Sequence, residues 1–287
     1  MRIHRALCSA SVLLLIAANH AGAVTITTDV SVSANSPGGI QTAVDSFRSQ
    51  LGTDNGGAPV NGDPNGHREI DWDDAPDSAS DPNALPGDFF NSASDPQSFG
   101  VEFQATGSTT DFLLSSTQAS GTPIEFGEDN NFVPFSDERI FSPINGTTFD
   151  ILFFDPADQT TQATTGAFGI VFLDVEAVSP SASIQLFDID DNLLATRNAV
   201  RAENGGASFI GLIFDEAVIA RVSVQSGTAP LLSNLTRGPG SDGVAVDNLI
   251  FGEPVAVTAV PLPTGLILMI SMIGGIAAAG TARRRSA

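Results

Sequence analysis

The sequence predicts an all-β domain, a β-sandwich or jelly roll with one short helix near its amino end. Three observations carry this. Between Phe99 and Glu253, short runs rich in Phe, Val, Ile and Leu alternate with clusters of Gly, Pro, Asn and Asp, the pattern of many strands joined by tight turns. Only one stretch of the domain has the spacing of an amphipathic helix. No repeat of fixed period suggests a solenoid or a propeller.

The elements follow in order. Val24 to Val32, VTITTDVSV, is β-branched with polar alternation and reads as a strand. In SPGGIQTAVDSFRSQLG, Ile40, Val44, Phe47 and Leu51 recur at helical spacing. Ser36 is placed to cap that helix, Pro37 suits its first position and Gly52 its end. The expected position of this helix is against a sheet edge. Residues 53–98 are crowded with turn formers such as DPNG, DDAPD and LPGD and predict one long loop. Strand patterns then follow at Phe99–Phe103, Phe112–Leu114, Phe132–Phe135, Ile140–Phe141 and Phe149–Phe154. AFGIVFLDVE, ASIQLFDIDDNLLATR with a turn at Asp190-Asp191-Asn192, SFIGLIF, AVIARVSVQ and VAVDNLIFG complete the set.

The two ends differ from the middle. Arg2, His4 and Arg5 precede an apolar run, Ala6 to Ala18, and the small-residue triplet Ala21-Gly22-Ala23. This is the build of a removed signal peptide, with the cut after Ala23. At the other end, Leu266 to Ala282 carries no charge. At ~1.5 Å per residue it reaches roughly 25 Å as a helix, enough to span a bilayer. Arg283, Arg284 and Arg285 follow it and mark the cytoplasmic side. The chain thus divides into a signal peptide (1–23), an acidic ectodomain (24–257) and a terminal signal (258–287).

Charge bounds the partners. All 12 basic residues are arginine, and all 33 acids lie between Asp29 and Glu253. Without the two arginines of the signal and the three at the tail, seven remain, so the exported part carries a net charge of −26. Such a surface repels nucleic acid and attracts cations. The single cysteine, Cys8, leaves with the signal peptide, so the ectodomain holds itself together without disulfides.

Val260-Pro261-Leu262-Pro263-Thr264-Gly265, the short span and the arginine cluster occur in fixed order. This tail resembles the PEP-CTERM class of sorting signals, in its VPLPA-type variant; Thr264 stands where that variant carries alanine. The resemblance implies transient insertion in the inner membrane of a Gram-negative bacterium and recognition by an exosortase-like membrane protease. Delivery to the cell envelope, the outer surface or the medium would follow. The two prolines keep the box extended and stop helix from propagating through it. NGHREIDWDDAPD, LPGDFFN, FGIVFLDVE, SIQLFDIDDNLL and VAVDNLIFGEP resemble a family of secreted bacterial β-rich proteins. That likeness implies fold and export, and no activity is assigned to the family.

Candidate chemistry is sparse. His67 is the sole histidine of the ectodomain, with no nucleophile-elbow pattern to accompany it. Calcium prefers several oxygen ligands; Asp188, Asp190 and Asp191 around one turn, with Asp247 in the last long strand, are its candidate ligands. The competing reading of the first three, and the favoured one, is an ordinary hairpin turn. NGDPNG begins like an EF-hand loop, but Trp72 falls where the loop needs glutamate. Trp72, the one tryptophan in a chain without tyrosine, is the candidate ligand platform; the competing role is to staple the long loop to the sandwich. Paired carboxylates such as Glu69 and Asp71 would serve glycoside hydrolysis. The leading expectation is therefore a non-enzymatic structural or interaction protein, with exopolysaccharide or other envelope components as partners. The alternative is a carbohydrate-binding module, calcium-dependent in one version, and a glycoside hydrolase stands third.

Overall fold

The computed structural model describes residues 24–94, 96–116, 126, 132–136, 138–177, 180–231 and 240–257. The signal peptide, the Pro-rich box, the apolar span and the arginine cluster lie outside the described residues. So do Ala21 and Ala23.

In chain order the strands are β1 (Ile26–Ala34), β2 (His67–Ile70), β3 (Val101–Ala105), β4 (Asp111–Ser116) and β5 (Arg139–Ile144). There follow β6 (Thr148–Phe153), β7 (Ala163–Thr164), β8 (Ala167–Leu173), β9 (Ala182–Phe187) and β10 (Leu193–Asn198). The last four are β11 (Ala207–Phe214), β12 (Arg221–Ser226), β13 (Ala245–Gly252) and β14 (Val255–Ala256). The helix α1 (Gln41–Gln50) follows a short 3-10 turn at Pro37–Gly39.

The strands form two antiparallel sheets. One has the order β1-β11-β8-β13-β5-β4, with β2 added on β13; the other has the order β10-β9-β12-β6-β3. A two-stranded ribbon pairs β14 with β7. Alternation explains the five-stranded sheet: Val222 and Val224 point inward while Arg221, Ser223 and Gln225 do not. The strands β8 and β13 are buried along their whole length, because the larger sheet is covered on both sides. Its inner face packs Phe141, Phe168, Phe172 and Phe251 against Phe103, Phe149 and Phe153 of the smaller sheet. This expected all-β sandwich is what the structure shows.

Several expectations need correction. Helix α1 lies across the outer face of the larger sheet and not at its edge. Ile40, Val44, Phe47 and Leu51 pack on Val171, Phe209 and Ile250. Paired Gly169 and Gly211 open the socket for Phe47: a Cβ on either glycine would come within 2.9 Å of its ring. Ser36 makes no capping hydrogen bond; the Pro37–Gly39 turn starts the helix in its place. Second, residues 53–98 are not one loop, for β2 is a paired member of the larger sheet. Third, residues 132–135 form no strand. They lie beside β13, where Phe135 donates its N–H to the carboxylate of Asp247 at 2.6 Å.

Candidate functional site

The site is built where β13 changes partners. Val246 pairs with Phe141 of β5, the register then slips at Asp247-Asn248, and Leu249 pairs with Ile70 of β2. A bulge of this kind re-aims side chains and ends one pairing so that another can begin. It docks β2 and with it the whole segment 53–99.

Arg68 holds that segment. It is fully buried, and its guanidinium is saturated. Nε and Nη2 meet the Glu253 carboxylate at 2.7 and 2.8 Å. Nη1 donates to the carbonyls of Gly56 and Ser98 at 2.6 and 3.0 Å, and Nη2 donates to that of Val60 at 2.8 Å. Glu253 also accepts from the Gly62 N–H at 2.7 Å and from Asn55 Nδ2 at 2.8 Å. A buried charge pair is tolerable only when its remaining donors and acceptors are satisfied in this way. Gly57 sits so close to the Pro96 carbonyl, 1.7 Å from where a Cβ would stand, that only glycine fits.

Trp72 follows β2 with a left-handed backbone, φ 72°. Its ring is 1% exposed. It stacks on Phe141 at 4.7 Å and meets Phe90 edge-on at 5.7 Å, while Nε1 donates to the Asp247 carbonyl. The face that a sugar would need is therefore occupied by Phe141. Trp72 is the staple and not an open platform.

These anchors leave a cleft of about 290 Å³. Four carboxylates line it, from Asp54, Glu69, Asp71 and Asp74. The half-buried rings of Phe89 and Phe99, with Phe90 and Pro96, form the apolar side. Glu69 has both oxygens engaged: Oε2 accepts from Arg48 Nε at 2.8 Å, and Oε1 from Arg48 Nη2 at 2.5 Å and Asn248 Nδ2 at 2.6 Å. Asp71 keeps its proton to higher pH than an ordinary aspartate, first through burial and then through the charges of Asp74 and Glu69. Behind it, burial pushes Asp73 up to about 6, although the Arg139 N–H donates to it at 2.8 Å. Burial pushes Asp247 up to about 8 against the pull of the Phe135 N–H and the Ser136 hydroxyl. The cleft can thus accept hydrogen bonds at several carboxyl oxygens and offer ring surface beside them.

The predicted calcium ligands are not brought together. Asp188, Asp190 and Asp191 form the turn of the β9–β10 hairpin, whereas Asp247 is buried in the other sheet. Asp188 Oδ1 accepts the N–H groups of Asp190 and Asn192 at 3.0 and 2.8 Å, and Oδ2 accepts from Asn192 Nδ2 at 3.0 Å. Asp191 pairs with Arg221. The Asp188 carboxylate builds the turn, and among the described residues no group of three acidic, histidine or cysteine side chains is arranged to hold a metal. His67 is buried on β2 and does not line the cleft. Sequence reasoning missed Arg68, Glu253 and Asn248. One signal was available: in HREI, Arg68 shares a face with Ile70, and an arginine on an inward face needs a buried partner.

No protein-family model and no curated protein matches this chain. Solved structures do. A fucose-binding module of Streptococcus pneumoniae matches at 16% identity over 50% of this chain and 90% of its own, with a TM-score of 0.24. The lectin-binding domain of lectinolysin, complexed with Lewis b, matches at 11% identity over 52% and 99%, TM-score 0.24. The enzymatically active domain of a bacteriophage CBA120 tailspike protein matches at 14% identity over 59% of this chain and 21% of its own, TM-score 0.27. Likeness at this level leaves the ligands of those proteins their own.

Proposed function

We propose that this chain is an exported, non-enzymatic binding protein of the cell envelope or extracellular matrix, and that its cleft holds carbohydrate. One observation carries the reading: carboxyl oxygens of Asp54, Asp71 and Asp74, the first two held by the N–H groups of Gly56 and Asp73, line the same cleft as the rings of Phe89 and Phe99. A pyranose needs both, acceptors for its hydroxyls and apolar surface for its C–H face. Export follows from the terminal segments, with an exosortase-like protease acting near Val260 to Gly265. Binding is preferred to glycoside hydrolysis on the state of Glu69. Three hydrogen bonds from Arg48 and Asn248 engage its two oxygens and tie α1 to β2 and β13, a structural use that competes with service as a nucleophile or base.

The test is retention of the full-length chain, in detergent, on a glycan panel with and without calcium. Retention of one glycan class, lost in both Asp71→Asn and Phe99→Ala, is the expected result. No retention in either condition removes the reading. The sorting half is tested by intact mass of the protein from its native host: both ends should be trimmed, and an untrimmed chain counts against it.

A further inference from the structure

The outer face of the five-stranded sheet carries a polar row that shares no residue with the cleft. Across it, Gln104, Asp150, Ser223, Gln185 and Thr196 stand in direct register, one per strand. At ~4.8 Å between strands the row is roughly 19 Å long. Its middle is sunken: Asp150 is 9% exposed and Ser223 half-buried, while Gln104, Gln185 and Thr196 are exposed. A groove of about 300 Å³ runs beside it, lined by Ser183, Gln185, Ser223 and Gln225.

The fold leaves the hydrogen-bonding capacity of this row largely unused. The side chains of Gln104, Ser223, Gln185 and Thr196 have no hydrogen-bond partner among the described residues. On the floor, Asp150 Oδ2 accepts from Arg221 Nη1 at 3.0 Å, but Oδ1 is buried with no partner at all. An acceptor left in that state costs free energy until something donates to it. The adjacent row is apolar in part. Leu152 and Phe187 flank Arg221, whose guanidinium lies 3.9 Å over the Phe187 ring, and Leu193 at the row's end is 55% exposed.

We infer that this trough binds a neutral, hydroxyl-rich chain, a glycan without charged groups. Arg221 bridges Asp150 and Asp191 within the fold, so the row offers no free guanidinium to an anionic ligand, and no group of three carboxylates among the described residues is arranged for a metal. The surrounding domain, at −26, opposes a polyanion. Amide and hydroxyl groups that can both donate and accept, laid beside an apolar strip, match a ligand whose hydroxyls and C–H faces alternate. The inference shares its ligand class with the cleft but none of its residues. With both surfaces occupied, one domain would bridge two glycan segments and gain from their linkage.

The experiment uses the full-length chain in detergent and affinity electrophoresis through gels cast with neutral glucan, neutral galactan, heparin or casein. Retardation by a neutral polysaccharide is expected. The Gln185→Ala/Ser223→Ala variant, altered only at the solvent face and with an unchanged melting temperature, should bind it at least tenfold more weakly. Asp150→Asn should weaken binding less, because the amide keeps an acceptor. Undiminished binding in the double variant overturns the second surface. Retardation by heparin or casein alone overturns the choice of ligand. Loss confined to Asp71→Asn and Phe99→Ala supports the cleft and overturns the trough; loss confined to the Gln185 and Ser223 variant does the reverse.

Discussion

The segment 53–99 and the strands that follow it are held by different physics. From β3 onward, stability comes from burial along the strands: they turn apolar side chains into the core between the sheets and into the layer under α1, and many rings share the load. The earlier segment has little pairing of its own. It lends Ile70, Leu85 and Phe90 to the common core, but its irregular backbone is gathered by one guanidinium, one carboxylate and one indole, namely Arg68, Glu253 and Trp72. A core of many rings degrades gradually, whereas a polar knot with one centre does not.

The sharpest way to break this contrast is Arg68→Ala. It strands Glu253 in a dry interior, and the expected loss is about 3–5 kcal/mol in urea unfolding, with residues 53–99 becoming the first to exchange amide protons. An unfolding midpoint within error of the parent would show that the knot is decorative. Next is Trp72→Phe, which keeps most of the ring packing but abandons the Asp247 carbonyl. Its expected cost is about 1–3 kcal/mol, read by thermal melting.

The third prediction concerns pH. Burial raises Asp247 to about 8, and Asp73 and Asp174 to about 6, from an ordinary value of 3.8. The folded state therefore binds protons that the unfolded state has released. Their contribution is fully present below 3.8 and is lost as pH rises through the folded values. The melting temperature should fall from acid toward neutral pH, and Asp247→Asn should flatten the part of the fall between about 6 and 8. An unchanged slope in that variant assigns the effect to other groups.

Smaller effects sharpen the comparison from the strand side. Asp188→Ala removes three hydrogen bonds from the hairpin turn, and about 1 kcal/mol is expected. If calcium instead uses this turn, added calcium will raise the parent's melting temperature and leave the variant's unchanged. Ser36→Ala should change stability by less than ~0.5 kcal/mol, because that hydroxyl caps nothing; a loss above that would restore the predicted cap.

Legibility followed the same division. The β9–β10 hairpin could be read directly, since alternation around Asp188–Asn192 is local. So could the apolar stripe of α1, Ile40 to Leu51. What that stripe would rest on could not, because its socket is made by Gly169 and Gly211, more than a hundred positions away. The cleft was only half legible. Glu69, Asp71 and Trp72 stood out as residue types, but the bulge at Asp247-Asn248 that brings them beside Phe99 is a property of pairing.

By itself, then, the amino-acid order determined the all-β class, the acidity of the domain and the residues that must face inward, because periodicity and charge are properties of neighbours along the chain. Tertiary structure alone decided that Trp72 is a staple, that Asp188 and Asp247 are kept apart, and that Gln104, Asp150, Ser223, Gln185 and Thr196 form one row. Each depends on which distant strand lies alongside, and register is set by the burial of a whole sheet at once.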